Sequence, residues 1–136
     1  RAGASYKGRP MLLAPWQKFV IVNLFGFFKK GTNIRRYTEA LIFLPRKQGK
    51  TSFSAALGEV KSIIDRASGA VTYIVANSVK QTMESFQFLK DNIEDLRPDV
   101  KRLRIRDNNQ EHSISVDFGD GTAEIYAIAN QEDKLD

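Results

Sequence analysis

The chain has no cysteine, one histidine and two methionines among its 136 residues. Without thiols it can form neither disulfides nor thiolate metal sites, which fits a reducing compartment. The lone His112 lies in an alternating segment with no neighbouring cysteine, so it reads as a surface or hairpin residue and not as a ligand. Long apolar runs are missing as well. The most apolar stretch, FVIVNLFGFF, reaches about half the roughly twenty residues of a membrane-spanning helix and is flanked by lysines. A soluble protein is therefore expected. What the sequence does have is apolar content of 42%, sufficient for one globular core, and 21 basic against 16 acidic side chains, a net charge of +5 that points mildly to a polyanionic partner.

Residues 1–14 mix glycine, alanine, serine and basic residues without a period and read as a basic N-terminal arm. From Pro15 the pattern is helical through Trp16, Phe19, Val20, Leu24, Phe27 and Phe28. Lys29 and Lys30 suit its last turn, Gly31 suits its stop, and the aromatic positions read as core. The run EALIFL (39–44) is apolar from Ala40 onward and predicts a strand covered on both faces. Helical spacing resumes after Gly49 through Ile64, and Ser68–Gly69 end it. VTYIVAN (71–77) predicts a second strand. Ser78 and Gln81 resemble a capping box that opens a third helix closed by Pro98. Beyond Pro98 the period becomes alternating: RLRIR (102–106), SISVDF (113–118) and AEIYAIA (123–129), split by turn-forming residues, predict antiparallel hairpins. The whole reads as an α/β chain of two β-α pairs followed by a β meander.

Between the first expected strand and the second helix lies PRKQGKT, where Arg46, Lys47 and Lys50 crowd around Gly49. Like charges gathered this closely repel one another unless an anion sits among them. A strand, a basic loop and a helix opening with Gly-Lys-Thr are the setting of a phosphate loop. Its glycine lets backbone N–H groups close on phosphates, its lysine meets the terminal phosphates and its hydroxyl holds magnesium. Gly49, Lys50 and Thr51 suit those roles. The first glycine of the general pattern is replaced by Leu44.

The PRKQGKT loop, together with PWQKFVIVNLFGF upstream and YIVANSVKQTMESF downstream, resembles the ATPase domain of the large terminase subunits of tailed bacteriophages, which carry a deviant Walker A loop. The resemblance extends to ANQEDKLD and covers nearly the whole chain. It implies a P-loop NTPase sheet of the ASCE, RecA-like type over 15–136, with flanking helices and a β-hairpin extension. The chain is expected to be a fragment that stops before the Walker B strand and lacks a nuclease domain. It further implies ATP and Mg²⁺ as cofactors, with Lys50 on the β- and γ-phosphates, Thr51 on Mg²⁺, Gln17 on the adenine edge and Arg46 at the γ-phosphate. Lys47 and Gln48 shape the loop. The implied partners are double-stranded DNA, the portal protein and the small terminase subunit, with a homo-oligomeric ring on the portal, in the cytoplasm of a bacterial host.

Two other readings share some of these features: a helicase-like P-loop ATPase, and a non-catalytic basic nucleic-acid-binding module. Arg102, Arg104 and Arg106 share one side of a strand, which suits either solvated edge protection or DNA backbone contact. Asp117 follows serine-interrupted residues and Asp65 lies in a helix, so neither suits a Walker B acid, which needs a continuously apolar strand before it.

Overall fold

The computed structural model describes residues 10–130. Most of the expected arm, and the final six residues, lie outside them. The chain divides between Phe43 and Leu44 into two compact units.

The first unit holds helix α1 (Pro15–Gly26). Pro15 suits its first turn because a proline there sacrifices no helical hydrogen bond. The Ala14 N–H donates to Gln17 Oε1 at 2.8 Å, which satisfies one donor at the helix entrance. The helix ends at Gly26, short of the expected Gly31. From Phe27 the backbone is extended and folds back on itself: the Arg36 N–H donates to the Phe27 carbonyl at 2.9 Å and the Lys29 N–H to the Ile34 carbonyl at 2.8 Å. Gly31, at φ +73°, supplies the left-handed residue of this turn. Lys29 and Lys30 therefore sit in a turn and not in a helix terminus. The expected aromatic core is also revised, since Phe19 is 70% exposed and Phe28 half-exposed. Arginines cover some of the unit's aromatic rings, with Arg35 over Phe25 at 5.3 Å and Arg36 over Tyr37 at 5.7 Å.

The expected strand at 39–44 does not form. Those residues belong to no strand, and Leu41 and Phe43 are each 94% exposed. A run apolar on both faces is stable as a strand only with neighbours on either side, and no described strand pairs with it.

The second unit carries a four-stranded mixed sheet in the order β1-β4-β3-β2, built from β1 (Ala70–Ala76), β2 (Arg102–Asp107), β3 (His112–Asp117) and β4 (Thr122–Ala129). β1 and β4 are parallel, with Ala70 opposite Ala123 and Ala76 opposite Ala129. The other two pairings are the antiparallel hairpins that the alternating sequence predicts. Helices α2 (Lys50–Ile64) and α3 (Val79–Glu94) match their helical spacing closely and pack on the sheet. Ser78 caps α3 by accepting from the Gln81 N–H at 3.2 Å.

One continuous core follows from the two periods. Phe86, Leu89 and Ile93 recur along one face of α3, and Ala123, Ile125 and Ala127 alternate along β4; with Ala55, Ile114 and Val116 they are all buried. The opposite face of β1 is bare: Val71, Tyr73 and Val75 are each at least half exposed, and Tyr73 stacks on Tyr126 at 5.4 Å. None of the described helices is long and apolar enough to cross a membrane.

Candidate nucleotide site

The loop before α2 is a run of turns and bends from Arg46 to Gly49. Lys47 has φ +63° and Gly49 φ +75°, while the residues between and beside them keep negative values. An alternation of this kind turns successive backbone N–H groups toward one concave side, a geometry that receives anions. The left-handed conformation costs a lysine more than a glycine, so Lys47 stores strain in the loop. Gly49 is also the N-cap of α2 and has no side chain with which to cap it. The free N–H groups of the first turn and the positive end of the helix dipole add to the same field.

Lys50 opens the helix. Its Nζ donates to the Leu44 carbonyl at 2.5 Å, which ties the lysine across the base of the loop. An ammonium has three donors, so two remain for other acceptors. Arg46, Lys47, Gln48 and Thr51 are exposed, and neither Arg46 nor Lys47 has an ion-pair partner among the described residues. The fold thus gathers Arg46 through Thr51 at one place. Gln17 stands on the other unit, where its carbonyl is already engaged at the entrance of α1.

A cavity of about 290 Å³ opens beside this loop. Lys50, Thr51 and Ser54 line it from α2, Asn77 from the end of β1, and Gln81 and Ser85 from α3. The crevice outside the carboxyl ends of parallel strands is where open α/β sheets bind ligands, and this cavity lies at that end of β1. Ser54, Asn77, Gln81 and Ser85 were not legible as site residues. Only the capping pattern at Ser78 and Gln81 marked the neighbourhood.

The electrostatics of the cavity wall are one-sided. Lys50 is its single charged group, and no carboxylate lines it among the described residues. Asp117 is set aside by geometry, because it pairs with Thr122 at the start of β4. That is the opposite end of the sheet, roughly 20 Å away at about 3.3 Å per strand residue. Asp65 caps the far end of α2, again roughly 20 Å from Lys50 at 1.5 Å per helical residue. Glu59 is buried on the same helix, and burial lifts its carboxyl to about 7. It stands about 13 Å along the axis from Lys50.

The arginine stripe lies on β2, an edge strand of the sheet, which suits edge protection. Arg102 lies opposite Asp117 in the hairpin register, and Arg106 pairs with Glu111 at 3.1 Å. Arg106 is the one arginine of the three with an ion pair among the described residues, and charged side chains on an edge strand deter pairing with another sheet. His112 Nδ1 lies 2.9 Å from Asp107 Oδ1, and Lys90 pairs with the same carboxylate. No group of three or more potential ligands is placed to hold a metal ion among the described residues.

The family model of the terminase large subunit ATPase domain matches residues 15–136. This chain belongs to that family. The match begins at the proline that opens α1, within the first unit, and runs through the second, so the loop and the cavity beside it lie within a terminase ATPase domain. Comparison with curated proteins finds no match, and comparison with solved structures finds none.

Proposed function

We propose that this terminase domain binds ATP through the loop Arg46–Thr51 and that, in the intact protein, hydrolysis drives double-stranded DNA into a capsid. The observation that carries the reading is the alternating-φ basic loop that opens α2 with Gly49, Lys50 and Thr51. After its bond to the Leu44 carbonyl the Lys50 ammonium keeps two N–H donors, which on this reading meet β- and γ-phosphate oxygens. Arg46, exposed and unpaired among the described residues, offers a planar fork to the same phosphates. Lys47 and Gln48 present backbone N–H groups and set the curvature. Gln17 is the proposed reader of the adenine edge; its oxygen already accepts from the Ala14 N–H, so its NH₂ group would supply the principal contact to the base.

The donor set fits phosphates well and a cation in part. Thr51 would hold Mg²⁺ through its hydroxyl, but no carboxylate stands at the cavity among the described residues to hold it from a second side. Magnesium would neutralise charge on the phosphates when bound. The portal protein, a small terminase subunit and further copies of the chain in a ring are the proposed partners of the assembled motor.

Lys50→Ala tests the reading by calorimetry with magnesium-ATP and magnesium-ADP. The variant should lose measurable affinity for both while keeping its fold, because the lysine is only partly buried. Affinities equal to those of the parent would remove the phosphate-loop assignment.

A further inference from the structure

Three of the four buried hydroxyl side chains in the described residues have partners. Ser62 donates to the Gly58 carbonyl at 2.8 Å, Thr82 to the Ser78 carbonyl at 3.0 Å and Ser113 to Glu111 at 3.1 Å. Ser85 is the fourth. It is only 5% exposed, has no hydrogen-bond partner among the described residues, and lines the cavity beside Lys50 and Thr51. Its oxygen is not sealed in the core but opens to the cavity, where a bound group or water can reach it.

The surroundings identify what could satisfy it. The cavity wall offers hydroxyls from Thr51, Ser54 and Ser85, amides from Asn77 and Gln81, one ammonium and no acid. Such a wall stabilises an anion and gives a bare cation no counter-charge. At about 290 Å³ the cavity falls just below the roughly 300–1,000 Å³ range of ordinary ligand pockets.

We propose that Ser85 and Gln81 on α3 are ligands for the terminal phosphate of a bound nucleoside triphosphate, and that through them the site distinguishes triphosphate from diphosphate. This rests on the proposed phosphate loop and adds to it a second wall. Lys50 and the loop hold the phosphate chain from α2, and α3 meets only the group that hydrolysis removes. Because α3 begins directly after β1, an occupied cavity would join two helix N-termini through one ligand. Loss of the terminal phosphate would release α3 while the diphosphate stayed on the loop.

The test compares Ser85→Ala and Gln81→Glu with the intact parent protein by calorimetry, using magnesium-ATP and magnesium-ADP. A hydrogen bond to a charged oxygen corresponds to about a tenfold change in affinity. Ser85→Ala should therefore weaken ATP by about that factor and leave ADP within about twofold. Gln81→Glu changes an exposed residue, so it keeps the fold, and it places a negative charge on the wall. It should weaken ATP by at least as much, again sparing ADP. Unchanged ATP affinity in both variants overturns the proposal, as does an equal loss of ATP and ADP in both. Lys50→Ala separates this result from the reading beneath it. If Lys50→Ala loses both nucleotides while the α3 variants bind like the parent, the loop stands and the α3 wall falls.

Discussion

Glu59 is the residue whose acid–base chemistry departs furthest from its ordinary behaviour among the described residues. It lies 7% exposed on α2, and burial raises its carboxyl from 4.5 to about 7. Unfolded, the group releases its proton near 4.5; folded, it keeps the proton until about 7. The folded state thus binds more protons between these values. Its stability should be greatest below about 4.5, decline as pH rises toward 7, and stay reduced above that. The span corresponds to at most about 3 kcal/mol. Glu59→Gln removes the titration and should stabilise the protein by about 1–3 kcal/mol at pH 8, with little effect at pH 4.5. Urea denaturation of parent and variant at both pH values checks this; parallel pH profiles would show that Glu59 ionises freely in the folded protein.

At the scale of elements, the joint between the end of α2 and the β3–β4 turn has the least room for change. A Cβ on Gly121 would stand 2.3 Å from the Arg66 carbonyl oxygen, which is backbone and cannot swing aside. Arg66 also forms a two-pronged ion pair with Asp120 at 2.9 and 3.0 Å and lies over the Phe118 ring at 5.3 Å. The ion pair is exposed and contributes little. The close backbone approach is the constraint. Gly121→Ala should cost about 2 kcal/mol or more, whereas Asp120→Asn should cost less than about 1 kcal/mol. Thermal denaturation of the two variants decides between them, and equal shifts would mean that the ion pair, and not the approach, holds the joint.

For the whole molecule, the cavity beside the loop contains hydroxyls, amides and one ammonium, but no carboxylate among the described residues. Phosphoryl transfer to water needs a group that orients the water and a metal ion held on more than one side. Residues 1–136 alone should therefore release phosphate from ATP at no more than the background rate. A steady-state phosphate-release assay beside Lys50→Ala tests this. Lys50-dependent turnover well above background would show that an acid of this chain reaches the site.

The sequence by itself determined the elements whose stability is local. The 3.6-residue period of α2 and α3, the Ser78 cap and the alternating hairpin strands all appear close to where the residues place them, because helix and hairpin contacts join residues near in sequence. The basic loop that opens α2 was legible for the same reason: its glycine, lysine and threonine are consecutive. EALIFL was misread because a strand exists only with a partner, and its composition says nothing of whether one is present. The end of α1 was misplaced because Phe27 exchanges helical bonding for pairing with Arg36. The tertiary structure alone decided the rest. It carried Asp117 to the far end of the sheet, set Arg102 opposite an acid, and turned Ser85 from α3 toward a cavity formed with α2 and β1. Those relations depend on sheet order and on the direction in which each helix returns, and the physical forces that set them act between residues distant in the chain.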